Sequence, residues 1–210
     1  MRALVIYCHP SPSSFTAAVR DVVLARLEAA GCEVRLRDLY AEGFEPVLSG
    51  PEWQGYLDCP ANRAPVEAHV RDLEWATALI FVYPTWWYGL PAMLKGWLDR
   101  VLIPDVAFRM PQAEGETIKP GLQHIDRLAV FTTCGANYWL TRFIGAPGRR
   151  TLMRGVGLLL KRRAKKVFAA HYLMDTTPRP RLAAHLDKVG RAMDRLIDAP
   201  PRVAEPAPAE

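Results

Sequence analysis

The 210-residue chain has only four cysteines, Cys8, Cys32, Cys59 and Cys134, and none of them form a Cys-x-x-Cys pair or stand at zinc-ligand spacing. That absence excludes a disulfide framework and a cysteine-held metal, and leaves reduced thiols as the expectation, with Cys8 and Cys32 in core strands. Glycines are present, but no Gly-x-Gly-x-x-Gly follows the first apolar run, so a nicotinamide dinucleotide is not resident in the Rossmann manner. No apolar run is long enough to span a bilayer. The apolar start, Ala3 to Cys8, meets His9-Pro10 too early for a secretory signal core, and the expected setting is cytoplasmic. Internal repeats are lacking as well.

Half of the residues are apolar or aromatic, which is enough to bury a substantial core in one domain over residues 1–198. The last stretch, 199–210, carries four prolines and no apolar cluster, and is expected to be a disordered tail. Net charge is +5, compatible with nucleic acid or with anionic nucleotides. The basic run from Arg142 to Lys166 holds nine Lys or Arg and no acid. No aromatic interleaving or nucleic-acid motif accompanies it, so a solvated face or a nucleotide-phosphate site is expected and nucleic acid is not.

The stretch Ala78 to Val101 organises the rest. Ala78 to Val82 is an unbroken apolar run that suits a strand buried on both faces, and Pro84 stops it. After Thr85-Trp86-Trp87-Tyr88-Gly89, Pro91 opens an amphipathic helix with Met93, Leu94, Trp97, Leu98 and Val101 on one face. The same strand, loop, helix order precedes it. Ala3 to Tyr7 reads as a strand, and Ser13 or Ser14 caps a helix whose Phe15, Ala18, Val19, Val22, Val23 and Leu27 recur at helical spacing up to Gly31. Glu33 to Leu39 alternates as a half-covered strand, and Tyr40 to Pro65 reads as a long surface excursion. Val66 to Trp75 is a short helix, 104–125 is irregular, and Leu128 to Phe131 is a further buried strand ending in Thr132-Thr133-Cys134-Gly135. A glycine-weakened helix over Thr151 to Leu160, a strand over Lys165 to Tyr172 and a final helix over Leu182 to Ile197 complete the pattern. Such alternation predicts an α/β fold with a parallel sheet covered by helices on both faces.

In that fold the loops after the strands at 3–7, 78–83 and 128–131 share one rim. A capped helix amino terminus, an aromatic wall and a Thr-Thr-x-Gly loop would together hold a flat ligand with a phosphate tail. A flavin fits that description.

The motifs His9-Pro10-Ser11-Pro12-Ser13-Ser14-Phe15, Pro84 to Val101 and Thr132-Thr133-Cys134-Gly135 resemble those of the NAD(P)H:quinone oxidoreductase family of flavodoxin-like flavoproteins, which includes DT-diaphorase. The resemblance covers about residues 2–198. It implies a flavodoxin-like doubly wound sheet and a flavin, FAD or FMN, with NAD(P)H as co-substrate. It also implies that His9, Ser13, Ser14, Phe15 and Thr16 surround the flavin phosphate and that Pro84, Thr85, Trp86, Trp87 and Tyr88 line one side of the ring. Thr132, Thr133 and Gly135 would close the other side, with Cys134 where many members have Gly. Tyr138 stands nearest the place of the family's proton-relay residues. The implied reaction carries a hydride from NAD(P)H through flavin N5 to a quinone or similar flat acceptor in a ping-pong cycle. A homodimer is implied too, with Trp53, Tyr56, Leu57, Trp139, Leu140, Phe143 and Ile144 as apolar contacts. The alternatives the resemblance leaves open are an ancillary subunit of a potassium efflux transporter and a flavodoxin-type electron carrier.

Overall fold

Strand β1 (Arg2–Tyr7) is buried from Ala3 onward, and it leads through a loop to helix α1 (Phe15–Ala29). Of the two serines ahead of α1, Ser14 is the cap: its hydroxyl accepts the Ala17 amide at 3.1 Å. Strand β2 (Glu33–Asp38) follows, then short helix α2 (Gly50–Gln54) and helix α3 (Glu67–Trp75). Strand β3 (Ala78–Thr85) and helix α4 (Ala92–Val101) form the central unit. A two-stranded hairpin, β4 (Phe108–Arg109) and β5 (Lys119–Pro120), interrupts the next connection. After it come β6 (Arg127–Cys134), α5 (Tyr138–Phe143), α6 (Pro147–Arg150), α7 (Gly157–Leu159), β7 (Lys165–His171) and α8 (Arg179–Ile197). This computed structural model describes residues 1–198, and the tail expected over 199–210 lies outside the described residues.

The main sheet is parallel throughout, in the order β2-β1-β3-β6-β7. Counting only its own strands the order is 2-1-3-4-5, and β1 and β3 flank the point where the winding reverses. Alternate strand residues face opposite layers. Leu4, Ile6, Leu79, Phe81 and Val130 pack against α3 and α4 through Val70, Leu73, Leu94 and Trp97. Val5, Ile80, Val82 and Phe131 pack against α1 and α8 through Val23, Leu27, Val189 and Met193. Trp97 is fully buried, meets Phe81 edge-on at 6.0 Å, and donates its indole N–H to His69 Nδ1 at 3.2 Å. Truncating it to alanine would cost about 3–5 kcal/mol.

Several local expectations are corrected. Strand β2 lies at the sheet edge, so the alternation expected of it fails at Leu36, which is 39% exposed. Arg35 and Arg37 of β2 instead reach the buried Asp72 of α3 at 2.7 and 2.5 Å. Cys8 is buried just past β1, but Cys32 sits half-buried in the turn before β2 rather than within a core strand. The excursion from Tyr40 to Pro65 is partly regular: Ser49 and Glu52 form a capping box on α2, and Phe44 enters the core. Pro46 packs so closely on Gly96 of α4 that no Cβ fits there. The helix expected over Thr151 to Leu160 begins as a wide π turn, Thr151–Val156, before α7. Its glycine has a packing reason: Lys166 Nζ reaches over Gly157 to the carbonyls of Met153 and Gly157 at 3.1 and 3.0 Å. Among the described residues no helix is long and apolar enough to cross a membrane, and no side-chain cluster could hold a metal ion.

Candidate active site

Because the strands are parallel, the carboxyl ends of β1, β3, β6 and β7 open on one edge, and a cavity of about 770 Å³ lies over it. That is within the usual range for a small-molecule or cofactor site. Its floor at one end is the start of α1. An α-helix leaves its first amides without intrahelical partners, and the Ser14 hydroxyl takes only that of Ala17. Phe15 and Thr16, the first two helical residues, line the cavity, so the positive end of the α1 dipole is directed into it. Thr16 is itself held in place, its hydroxyl 3.1 Å from that of Thr133 at the end of β6.

His9 lines the same end. Its Nδ1 lies 3.0 Å from the Ser11 amide and 3.1 Å from the Ser11 carbonyl, and burial lowers its pKa, which favours the neutral ring. The opposite wall is the loop after β3. Here the Gly89 amide donates to the Trp86 carbonyl at 2.9 Å, and Trp87 and Tyr88 between them both have positive φ, 47° and 61°. Two left-handed residues in succession make the tight turn that matches strand twist, but for bulky aromatic side chains it costs roughly 1–2 kcal/mol per residue. The strain holds Trp87 out from the protein: it is 94% exposed and lines the cavity mouth.

The third wall is Thr133, Cys134 and Gly135 at the end of β6. At Gly135 a Cβ would stand 2.7 Å from a carboxylate oxygen of Asp175, so a larger residue there would push the Asp175 side chain aside. Asp175 and Met174 complete the lining from the connection after β7, the fourth loop on the rim.

Of the residues singled out from sequence, His9, Ser14, Phe15, Thr16, Pro84, Thr85, Trp86, Trp87, Tyr88, Thr133, Cys134 and Gly135 line this cavity. Three do not. Ser13 is exposed and pairs with the Ser11 hydroxyl at 3.2 Å. Thr132 points to the other side of β6, where it meets Thr85 at 2.7 Å. Tyr138 is 45% exposed on α5, its ring edge-on to that of Tyr172 at 5.5 Å. Ala136, Met174 and Asp175 were not anticipated. The signal available for the last two was positional, because any loop after a parallel strand reaches this rim.

A capped helix terminus, a strained aromatic turn and a threonine loop around one crevice at the carboxyl edge of a 2-1-3-4-5 sheet define a doubly wound α/β protein of the flavodoxin class. A family model described as flavodoxin-like fold matches residues 1–189, and the chain belongs to that family. Over 126 residues it is 33% identical to a ribosyldihydronicotinamide dehydrogenase [quinone] of Pongo abelii, covering 52% of this chain and 54% of that protein. The aligned part thus spans about half the length of that curated relative. Among solved structures, an NAD(P)H:quinone oxidoreductase from Methanothermobacter marburgensis superposes with a TM-score of 0.78 at 24% identity, over 95% of this chain and 98% of that one. An FMN-dependent NADH-azoreductase from Bacillus anthracis, solved in complex with FMN, superposes with a TM-score of 0.75 at 16% identity, over 94% and 100%.

Proposed function

We propose that this protein is a flavin-dependent NAD(P)H oxidoreductase that reduces a quinone or a similar flat acceptor. One observation carries the reading: a single cavity of about 770 Å³ joins a helix amino terminus suited to a phosphate with an aromatic turn and a threonine loop suited to a flat ring. The names of the Pongo abelii and Methanothermobacter marburgensis proteins support the NAD(P)H and quinone assignments. The FMN of the azoreductase makes FMN the first flavin to test.

In this reading the amides of Phe15 and Thr16 bind the phosphate, with neutral His9 beside it adding no charge of its own. Thr133 and Gly135 form one wall of the ring site, and Pro84 to Tyr88 the other. Once bound, the flavin supplies the two-electron redox chemistry, and the protein supplies binding, orientation and exclusion of water. Trp87 overhangs the mouth, where it can stack on a nicotinamide or on the flat acceptor that replaces it. One mouth used in turn by donor and acceptor gives ping-pong kinetics. The reaction belongs in the cytoplasm, where NAD(P)H is supplied.

The partner we propose is a second copy of the chain. Trp139 is 78% exposed and Phe143 89% exposed, on a short helix next to the third loop, and Trp87 projects from the same rim. A two-fold contact over these rings would bury them and cover the cavity mouth of each copy.

The test is steady-state consumption of NADH or NADPH by the purified protein with and without a soluble benzoquinone. Consumption that rises with quinone and is lost when flavin is stripped supports the reading; no consumption by flavin-loaded protein removes it.

A further inference from the structure

Behind the main cavity, on the other side of Thr85 and Cys134, lies a second and much smaller one of about 20 Å³. A buried water needs roughly 10–15 Å³ and two to four polar partners, so this space has room for one molecule. Its polar lining is Tyr83, Thr85, Tyr88, Thr132, Thr141 and Tyr172, together with Arg149 and the Cys134 thiol. Thr141 Oγ1 donates to the Asn137 carbonyl at 2.9 Å and meets Cys134 Sγ at 3.7 Å, which leaves one lone pair to accept from such a water. The two cavities share Thr85, and Thr85 Oγ1 is 2.7 Å from Thr132 Oγ1. Tyr83 stands directly opposite Thr132 in the pairing of β3 with β6, and both line the small cavity.

We infer that Tyr83, Thr132 and Thr85 form a hydroxyl chain that carries protons from a water in the small cavity into the main one. Each proton that the water gives up is replaced from solvent through the half-buried Tyr172 phenol. The inference rests on the function proposed above. Reduction of a quinone by NAD(P)H consumes one proton: quinone + NAD(P)H + H⁺ gives hydroquinone + NAD(P)⁺. The hydride brings two electrons and one hydrogen, so the second hydrogen must arrive as a proton from solvent.

Two facts favour this chain as the route. Tyr138, the relay residue suggested by sequence, does not line the main cavity, and its ring covers Tyr172 of the small one instead. Thr85, whose hydroxyl is 2.7 Å from that of Thr132, lines both cavities, so the chain ends in the main one. A hydroxyl chain needs no ionised member, because each group accepts one proton as it donates another. That suits Tyr83, whose pKa burial raises and which therefore stays protonated. Gly148 packs close to the Tyr83 phenol: a Cβ there would touch the Gly89 backbone and, at 3.4 Å, the phenol oxygen. Tyr83, Thr132 and Thr85 act as positioning residues for the proton, not as groups that react with substrate.

The experiment compares wild type, Thr132→Val, Thr132→Ser and Tyr83→Phe, each loaded with flavin. Reduced protein is mixed with a soluble benzoquinone in H₂O and in D₂O by stopped flow. Valine keeps the shape of threonine without its hydroxyl, so Thr132→Val should bind flavin normally and lose about tenfold or more in the oxidative rate, with a changed solvent isotope effect. Thr132→Ser restores the hydroxyl and should return both to wild-type values. Tyr83→Phe, which removes one oxygen, should resemble Thr132→Val and serves if the valine variant misfolds. A crystal structure of the loaded wild type should show one ordered water beside Tyr83 and Tyr172. Wild-type rates and isotope effects in Thr132→Val and Tyr83→Phe, a serine variant as slow as the valine one, or a dry small cavity would each overturn the inference. If wild type itself binds no flavin or reduces no quinone, the proposed function has failed and this chain falls with it.

Discussion

The hydroxyls of Thr16 and Thr133 stand 3.1 Å apart in the buried seam where α1 meets the end of β6. Separated by 117 positions in the chain, they tie the helix terminus at one end of the cavity to the loop that forms its wall. In the proposed function this tie would hold a phosphate on α1 and a ring against β6 at a fixed separation.

Thr16→Val tests that tie. It leaves the Thr133 hydroxyl buried without its partner, a cost of about 1–3 kcal/mol. For a chain of this length that lowers Tm by roughly 2–4 °C per kcal/mol. Flavin affinity, measured by titration of the apoprotein, should fall as well. Thr16→Ser, which keeps the hydroxyl, should stay near wild type in both.

Trp87→Ala should separate function from folding. A side chain that is 94% exposed contributes little to stability, so unfolding should shift by no more than about 0.5 kcal/mol. Loss of its stacking surface should lower kcat/KM for quinone on the order of 5- to 100-fold, corresponding to about 1–3 kcal/mol. Equal values for variant and wild type would place the acceptor elsewhere on the rim.

Acid should destabilise the fold through two buried histidines. Burial lowers the pKa of both His69 and His185 to about 4, from an ordinary 6.5. Among the described residues His185 Nε2 has no hydrogen-bond partner, and the neighbouring His171 and Lys188 add positive charge that opposes its protonation. Unfolded protein takes up protons on these rings as pH falls below about 6.5, while folded protein does so only near 4. Stability therefore falls with pH across that window, by about 3 kcal/mol per ring at its acid end. Urea unfolding from pH 7 to 4 checks this. His185→Leu should flatten part of the slope, and an unchanged slope would show that His185 does not contribute.

Phe143→Glu should give a monomer if the exposed aromatic face is where two copies meet. Phe143 is 89% exposed, so the charge should leave the single chain folded. Sedimentation of flavin-loaded wild type at micromolar concentration should give a dimer, and the variant half that mass. A wild-type monomer with full activity would mean that each site is built from one chain.

Much of this was legible in the sequence because β1, β3 and β6 are central strands, and burial on both faces makes them continuous apolar runs such as Ala78 to Val82. The cap on α1 was visible as a serine pair, but only the geometry of the turn decides that Ser14 and not Ser13 faces the helix. Asp175 was missed because Leu173 to Thr176 carries no motif. It joins the site only through the pairing of β7 with β6, which brings it against Gly135. Tyr138 was suggested by nearness in sequence, whereas α5 turns its ring outward onto Tyr172. The small cavity had no signature at all, since its walls come from β3, β6, β7 and the helices after β6, residues that meet only in the fold.

The central claim is that the cavity over the sheet edge holds a flavin, and the absorption spectrum of the purified protein tests it most directly. The account predicts a yellow protein with the visible flavin bands, from which heating releases FMN or FAD at close to one per chain, identified by chromatography. A colourless protein that neither FMN nor FAD can reconstitute would contradict it.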